Sequence, residues 1–289
     1  MRNELFCGCG TALITPFRNG SVDYASLESL IDGQLRAGID ALILLGTTGE
    51  PSTLSEAERA RVIETGIEKC AGQIPVYVGV GSNDTRRAVK LSADAQNRGA
   101  DGLLVVTPYY NLANADGLLA HYRAIADSVR IPIIVYNVPS RTGVNMPPEI
   151  MAELAKHPLL CAFKEACADI GHAMRVLELT DGGVSVYAGN DDQTLPLTAL
   201  GARGVISVAS NAVPKEMLAL TRACLRGDFS EARRLHFHLL PLLRALKTEV
   251  NPIPVKAALH LLGKCENELR LPLTPMNPER IRDALAQYK

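Results

Sequence analysis

Short apolar runs alternate with longer amphipathic stretches along most of this 289-residue chain. The runs at 10–15, 41–45, 76–80, 103–107, 133–136, 160–164, 185–188 and 204–207 are rich in Val, Ile and Leu and mostly continuous. Strands covered on both faces read this way, as in parallel sheets. Segments of helical length lie between them. Two are 26–37 and 55–70, the latter opening Ser55-Glu56-Ala57-Glu58 with a serine N-cap and an acidic first turn. Eight β-then-α units predict an α/β fold, a (β/α)8 TIM barrel, in preference to an open doubly wound sheet. Gly79-Val80-Gly81 has no third glycine at dinucleotide-binding spacing, which argues against a Rossmann site.

After residue 207 the rhythm changes. Segments 215–226, 229–246, 254–262 and 278–287 carry helical periodicity with no further strand. The first completes the eighth unit, so the expected organisation is a catalytic barrel over 1–227 and a C-terminal helical domain over 228–289.

Composition narrows the function. Apolar residues make up 47% and charged residues 21%, and the formal net charge is −1. That balance leaves no basic footprint for nucleic acid and points to small-molecule work. The first residues contain no apolar stretch of leader length, and no run approaches the length of a membrane span, so a cytoplasmic protein is expected. Seven cysteines, several in apolar runs, read as reduced thiols. Cys7-Gly8-Cys9 lacks a second pair at zinc spacing and reads as small buried residues in a strand. His121, His157, His172, His236, His238 and His260 fall in helices or helix ends and read as packed or solvated. Without a ligand cluster, neither a metal nor another cofactor is expected.

The candidate chemistry sits at predicted strand ends, where a barrel of this kind gathers its reactive groups. Lys164 ends the apolar run Leu159-Leu160-Cys161-Ala162-Phe163-Lys164. Burial there favours the neutral amine, a nucleophile towards carbonyls, and hence Schiff-base chemistry. A strand-end lysine that snorkels to solvent or pairs with Glu165 is the competing reading of that segment. Gly46-Thr47-Thr48-Gly49-Glu50 makes a tight turn whose N–H groups can hold a small carboxylate, or simply an ordinary βα turn. Tyr109-Tyr110 follows strand four, and one of the two is free for packing or an interface. Tyr136 can carry a proton, and Arg141 offers a planar fork to a carboxylate. Gly189-Asn190-Asp191-Asp192 follows strand seven, and Ile206 lies in strand eight. The set fits a 2-oxo acid forming an imine, with acid–base steps at the neighbouring carbon.

The strings Gly46-Thr47-Thr48-Gly49-Glu50, Tyr109-Tyr110-Asn111, Tyr136-Asn137-Val138-Pro139-Ser140-Arg141-Thr142-Gly143 and Phe163-Lys164-Glu165-Ala166 resemble the dihydrodipicolinate synthase family of Schiff-base lyases. Gly204-Val205-Ile206-Ser207 and Asn251-Pro252-Ile253-Pro254-Val255-Lys256 carry the likeness into the tail. The resemblance implies condensation of pyruvate with L-aspartate 4-semialdehyde to 4-hydroxy-tetrahydrodipicolinate, on the route to diaminopimelate and lysine. It implies that Lys164 forms the imine and that Tyr136 is the acid–base group. Thr47 would link Tyr136 to a Tyr110 reaching in from a neighbouring subunit. The Thr47 and Thr48 backbone would hold the pyruvate carboxylate and Arg141 that of the semialdehyde, with Gly189 and Ile206 lining the pocket. A homotetramer, a dimer of tight dimers, is the implied assembly.

Asn190 and Cys167 depart from the family's common pattern. So does the effector site that lysine-sensitive relatives build at the positions of Ser52, Glu56, Asn83, Arg87 and Tyr109, where Arg87 replaces a carboxylate and Glu56 a histidine. Arg87 would repel the effector's ammonium, so weak or absent feedback by lysine is expected. The competing functions are a sibling lyase, such as N-acetylneuraminate lyase or a 2-oxo acid sugar aldolase, and a non-catalytic binding barrel.

Overall fold

A computed structural model of the chain describes residues 5–288. Residues 1–4, part of the start read above for a leader and of the expected barrel span, and residue 289 lie outside it. Eight parallel strands close into a barrel: β1 (Gly8–Ala12), β4 (Ala41–Leu44), β5 (Val76–Gly79), β6 (Gly102–Val106), β7 (Ile133–Asn137), β8 (Leu160–Glu165), β9 (Ser185–Ala188) and β10 (Gly204–Ser207). They follow chain order around the barrel, and β10 pairs with β1 to close it. Almost every strand residue is buried, as the continuous apolar runs require.

Two expectations shift. The first strand runs from Gly8 to Ala12 rather than over 10–15, because beyond it the Ile14 N–H turns to the Asn211 side chain at 3.1 Å instead of a neighbouring strand. Cys9 is therefore buried in β1, while Cys7 precedes the strand and is exposed. A hairpin not expected from the sequence joins β2 (Phe17–Arg18) to β3 (Ser21–Val22) through Asn19-Gly20. Both turn residues have positive φ, 53° and 77°. Asn-Gly is the strongest two-residue hairpin signal, so the sequence did carry it.

Side chains alternate across each strand, so one set fills the barrel and the other meets the helices. Ala41, Ile43, Tyr77, Leu104, Ile134, Tyr136, Ala162, Tyr187 and Ile206 form the interior cluster. Phe6 stacks on Tyr187 with ring centroids 4.4 Å apart and plugs the lower end. In β8, Ala162 faces inward and Phe163 outward, which brings Lys164 inward and Glu165 outward.

After the last barrel helix, Pro214–Leu225, the chain forms helices Phe229–Ala245, Ile253–Leu261 and Glu279–Ala286. This tail is tied to the barrel by a buried ion pair. Lys256 and Glu50, at 0% and 3% exposure, meet at 2.5 Å. Lys256 also donates to the Glu268 carbonyl at 2.9 Å and sits 4.0 Å from the Phe17 ring centroid. Glu50 follows Gly46-Thr47-Thr48-Gly49 directly, so the tail braces that turn. Removing one partner of such a pair strands a charge in a dry site. Lys256→Met should cost about 3–5 kcal/mol in urea unfolding, and Lys256→Met with Glu50→Leu should recover part of that loss.

Candidate active site

Tyr136 and Lys164 are register partners on neighbouring strands, so both side chains point into the upper barrel. The Lys164 Nζ lies 4.3 Å from the centroid of the Tyr136 ring. Lys164 is 4% exposed and makes no ion pair among the described residues. Burial pulls its amine from 10.5 down to about 8; the charge of Asp191 opposes this and that of Arg141 assists it. Roughly one amine in ten is then neutral at pH 7, against about one in 3,000 for the unperturbed group. Burial also pushes the Tyr136 phenol up, against the Arg141 charge and a hydrogen bond with the Thr47 side chain. Glu165 does not pair with Lys164. It faces outward, and its carboxylate meets His172 instead.

The expected anion turn is a short 3-10 helix, Thr47–Gly49, at the end of β4. Gly49 and Glu50 donate their N–H groups within the turn, at 2.9 and 3.2 Å, whereas the first N–H groups of such a turn have no partner inside it. The Thr48 hydroxyl accepts from Asn251 Nδ2 at 3.0 Å, and Arg141 Nη2 donates to the Asn251 carbonyl at 2.9 Å. One residue of the tail thus bridges the turn and the arginine. A cavity of about 430 Å³ opens here, with Thr47, Tyr136, Arg141 and Asn251 in its wall. Lys164, Thr48 and Ile206 are buried against those residues. Gly189 donates its N–H to the Glu165 carbonyl at 2.7 Å, and a Cβ there would lie 2.7 Å from that of Ala166, so only glycine fits.

Within one chain Tyr110 does not reach this group. It is 88% exposed and has a φ of 73°. Its neighbour Tyr109 lines the cavity with Ser52 and Arg87. Glu56 turns to Lys90 at 2.9 Å, and the Asn83 carbonyl accepts from the Asn111 side chain at 2.9 Å. The Glu56 carboxylate, which stands at an effector-site position, is therefore engaged by Lys90. Arg59 adds a third cation to the wall beside Arg87 and Arg141, buried with Nη2 on the Gly79 carbonyl at 3.0 Å.

Three contributors were not singled out from the sequence. Asn251 was read only as part of a string. Asp191, half-buried with one carboxylate oxygen accepting two N–H groups at 3.1 and 3.0 Å, supplies the negative field at Lys164. His172 is packed, the first of the two readings offered for it, with Nδ1 3.0 Å from the Glu165 carboxylate. No short-range pattern marks Asn251 or Asp191, because their partners are distant in sequence.

With this geometry in place, the likeness to known proteins is specific. The model of the dihydrodipicolinate synthetase family matches residues 5–288. The chain belongs to that family. The 4-hydroxy-tetrahydrodipicolinate synthase of Geobacter sulfurreducens is 49% identical over 288 residues, 99% of either chain. The dihydrodipicolinate synthase structure from Thermotoga maritima superposes with a TM-score of 0.97 at 46% identity, covering 99% of both. The chloride-inhibited enzyme from Acinetobacter baumannii, complexed with pyruvate, is 38% identical with a TM-score of 0.96, over 98% of this chain and 99% of that one. The activity is that of a 4-hydroxy-tetrahydrodipicolinate synthase, a lyase. No helix among the described residues is long and apolar enough to cross a membrane.

Against the family's pattern, Asn190 is held by the Ala166 carbonyl at 3.3 Å and Gln193 at 2.9 Å, and Cys167 gives its N–H to Glu165 at 2.7 Å. Both residues brace the loops beside Lys164. Because the reactive form is the neutral amine, trapping of a pyruvate imine by borohydride should accelerate as pH rises through about 8 and then level off. Mass spectrometry of the trapped adduct at short times measures this, and an ordinary lysine would still be gaining at pH 10.

Proposed function

We propose that Lys164 is the nucleophile that joins pyruvate to L-aspartate 4-semialdehyde in the synthase reaction. The observation that carries this is the buried amine of Lys164 beside Tyr136 in adjacent strand registers. The amine attacks the keto carbon, water leaves, and an imine forms. Loss of a methyl proton gives the enamine, whose carbon attacks the aldehyde. The amino group of the second substrate then closes the ring and expels Lys164. Tyr136 moves the protons, with Thr47 bonded to it as a relay. The first N–H groups of the Thr47–Gly49 turn hold the pyruvate carboxylate, Arg141 takes that of the semialdehyde, and Gly189 and Ile206 close the pocket. A second subunit supplies Tyr110 to the relay. Its exposed aromatic ring and positive φ support a site completed by a neighbouring subunit. Membership of the family extends the proposal to a homotetramer, a dimer of dimers, in the cytoplasm.

Lys164→Ala should abolish the borohydride-trapped pyruvate adduct and the coupled condensation assay, while its circular dichroism stays that of the wild type. Normal adduct stoichiometry would exclude this nucleophile.

The second proposal concerns regulation. With Arg59, Arg87 and Arg141 in the wall, Glu50 paired with Lys256 and Glu56 held by Lys90, an ammonium-bearing effector meets three cations and carboxylates that are already engaged. Half-maximal inhibition by lysine should require more than about 1 mM, which corresponds to less than ~4 kcal/mol of binding. A turnover titration with lysine measures it.

A further inference from the structure

Behind the reacting pair, on the opposite face of the same two strands, the side chains form a closed ring. Asn137 and Glu165 follow Tyr136 and Lys164 and are themselves register partners. Asn137 Nδ2 donates to Glu165 Oε1 at 2.9 Å. The other carboxylate oxygen lies 3.0 Å from His172 Nδ1. His172 Nε2 lies 2.9 Å from the Met146 carbonyl, and the Met146 N–H returns to Asn137 Oδ1 at 3.1 Å. Four residues from β7, β8, the following helix (Ile170–Leu179) and the 143–147 loop are thereby locked together.

Both nitrogens of the His172 ring face oxygens, the Met146 carbonyl and the ionised Glu165 carboxylate, that only accept. A neutral imidazole has one N–H and would leave one link of the ring unmade. The imidazolium satisfies both. We infer that His172, held as a cation, is a positioning residue for the synthase reaction, fixing the strand ends that align Lys164 with Tyr136. The inference rests on Lys164 being the nucleophile.

The surroundings favour the charged form. The first contribution is the bond from the Glu165 carboxylate, against the cost of burial, and it raises the His172 pKa above its ordinary value. Asp169, capping the same helix, adds to it. Asn137 and Asn145 are neutral, the Cys167 N–H lies on Glu165 at 2.7 Å, and Arg175, one turn on, is held by Glu178 and Glu149. A raised pKa means that the ring is intact at low pH and opens as pH rises through the folded-state value. This is the opposite sense to Lys164, which must lose its proton to react. The two titrations therefore push activity in opposite directions as pH changes.

The test combines a direct titration with kinetics. In ring-¹⁵N-histidine-labelled enzyme, His172 should show imidazolium shifts at pH 7, and Glu165→Gln should move its midpoint down by about one pH unit or more. His172→Gln keeps at most one of the two donations, so kcat should fall about 10- to 100-fold with the KM for pyruvate within about twofold, since no substrate atom is touched. His172→Arg keeps a cation that does not titrate in this range, and should restore most of kcat while removing the alkaline decline. A neutral His172 at pH 7 in the labelled wild type would overturn the inference even if no variant folded. So would an unchanged alkaline limb in His172→Arg, or wild-type kcat at every pH in His172→Gln. Failure of the Lys164 assignment is separate, because it appears as a missing pyruvate adduct in the wild type whatever His172 does.

Discussion

The site depends on burying one amine without giving it a carboxylate. Two lysines are buried among the described residues, and the contrast between them shows what the barrel does. Lys256 is fully buried, and Glu50 meets it at 2.5 Å. Burial lowers its pKa while Glu50 works against that, so the pair serves as a structural tie. Lys164 is as deeply enclosed, yet the carboxylate next to it in sequence is turned to the other face of the strand and claimed by His172. Asp191 contributes only a field, its carboxylate being held by the backbone of Val208 and Ala209. The amine is left near the physiological range, where it can be both nucleophile and proton carrier.

That division of labour follows from the two-residue period of a strand. Tyr136 and Lys164 look inward, and Asn137 and Glu165 look outward. A closed parallel barrel fixes neighbouring strands in register, so a contact on one face sets the geometry of the other. The C-terminal helices extend the same logic from above. Asn251 carries Thr48 on its side chain and Arg141 on its carbonyl, while Lys256 anchors Glu50 at the end of the same turn. The groups proposed to hold the two substrate carboxylates are therefore spaced by a tail that contributes none of the proton-transfer groups.

The fold was legible from the sequence because strands of a doubly covered parallel sheet must be short and continuously apolar. Each of the eight runs is a barrel strand, within a few residues at its ends. The strand-end rule also located Lys164, Tyr136, Thr47 and Arg141, which the structure gathers around one cavity and its floor. What escaped notice was mostly non-local. Asn251 meets Arg141 across 110 positions and Thr48 across 203, and no pattern within a helix or strand encodes such a meeting. The Asn19-Gly20 hairpin differs, since its signal is local and was there to be read. His172 falls between the two cases. Its helical position was evident, but its charge state follows only from the two acceptors that the fold sets against its ring.

The outward ring also bears on which residues near the nucleophile tolerate change. Asn145 and Cys167 touch no reacting atom in this arrangement, yet Asn145 accepts from Asn137 at 2.8 Å and the Cys167 N–H holds Glu165 at 2.7 Å. Cys167 holds Glu165 through its backbone, while its Sγ accepts from Asn145 Nδ2 at 3.8 Å, a contact outside the ring itself. Glu165 has little latitude. It accepts from Asn137, Cys167 and His172 at once, and a shorter or neutral side chain would leave a buried donor or the His172 charge without its partner. The constraint on the residue after Lys164 thus arises from alignment rather than from chemistry.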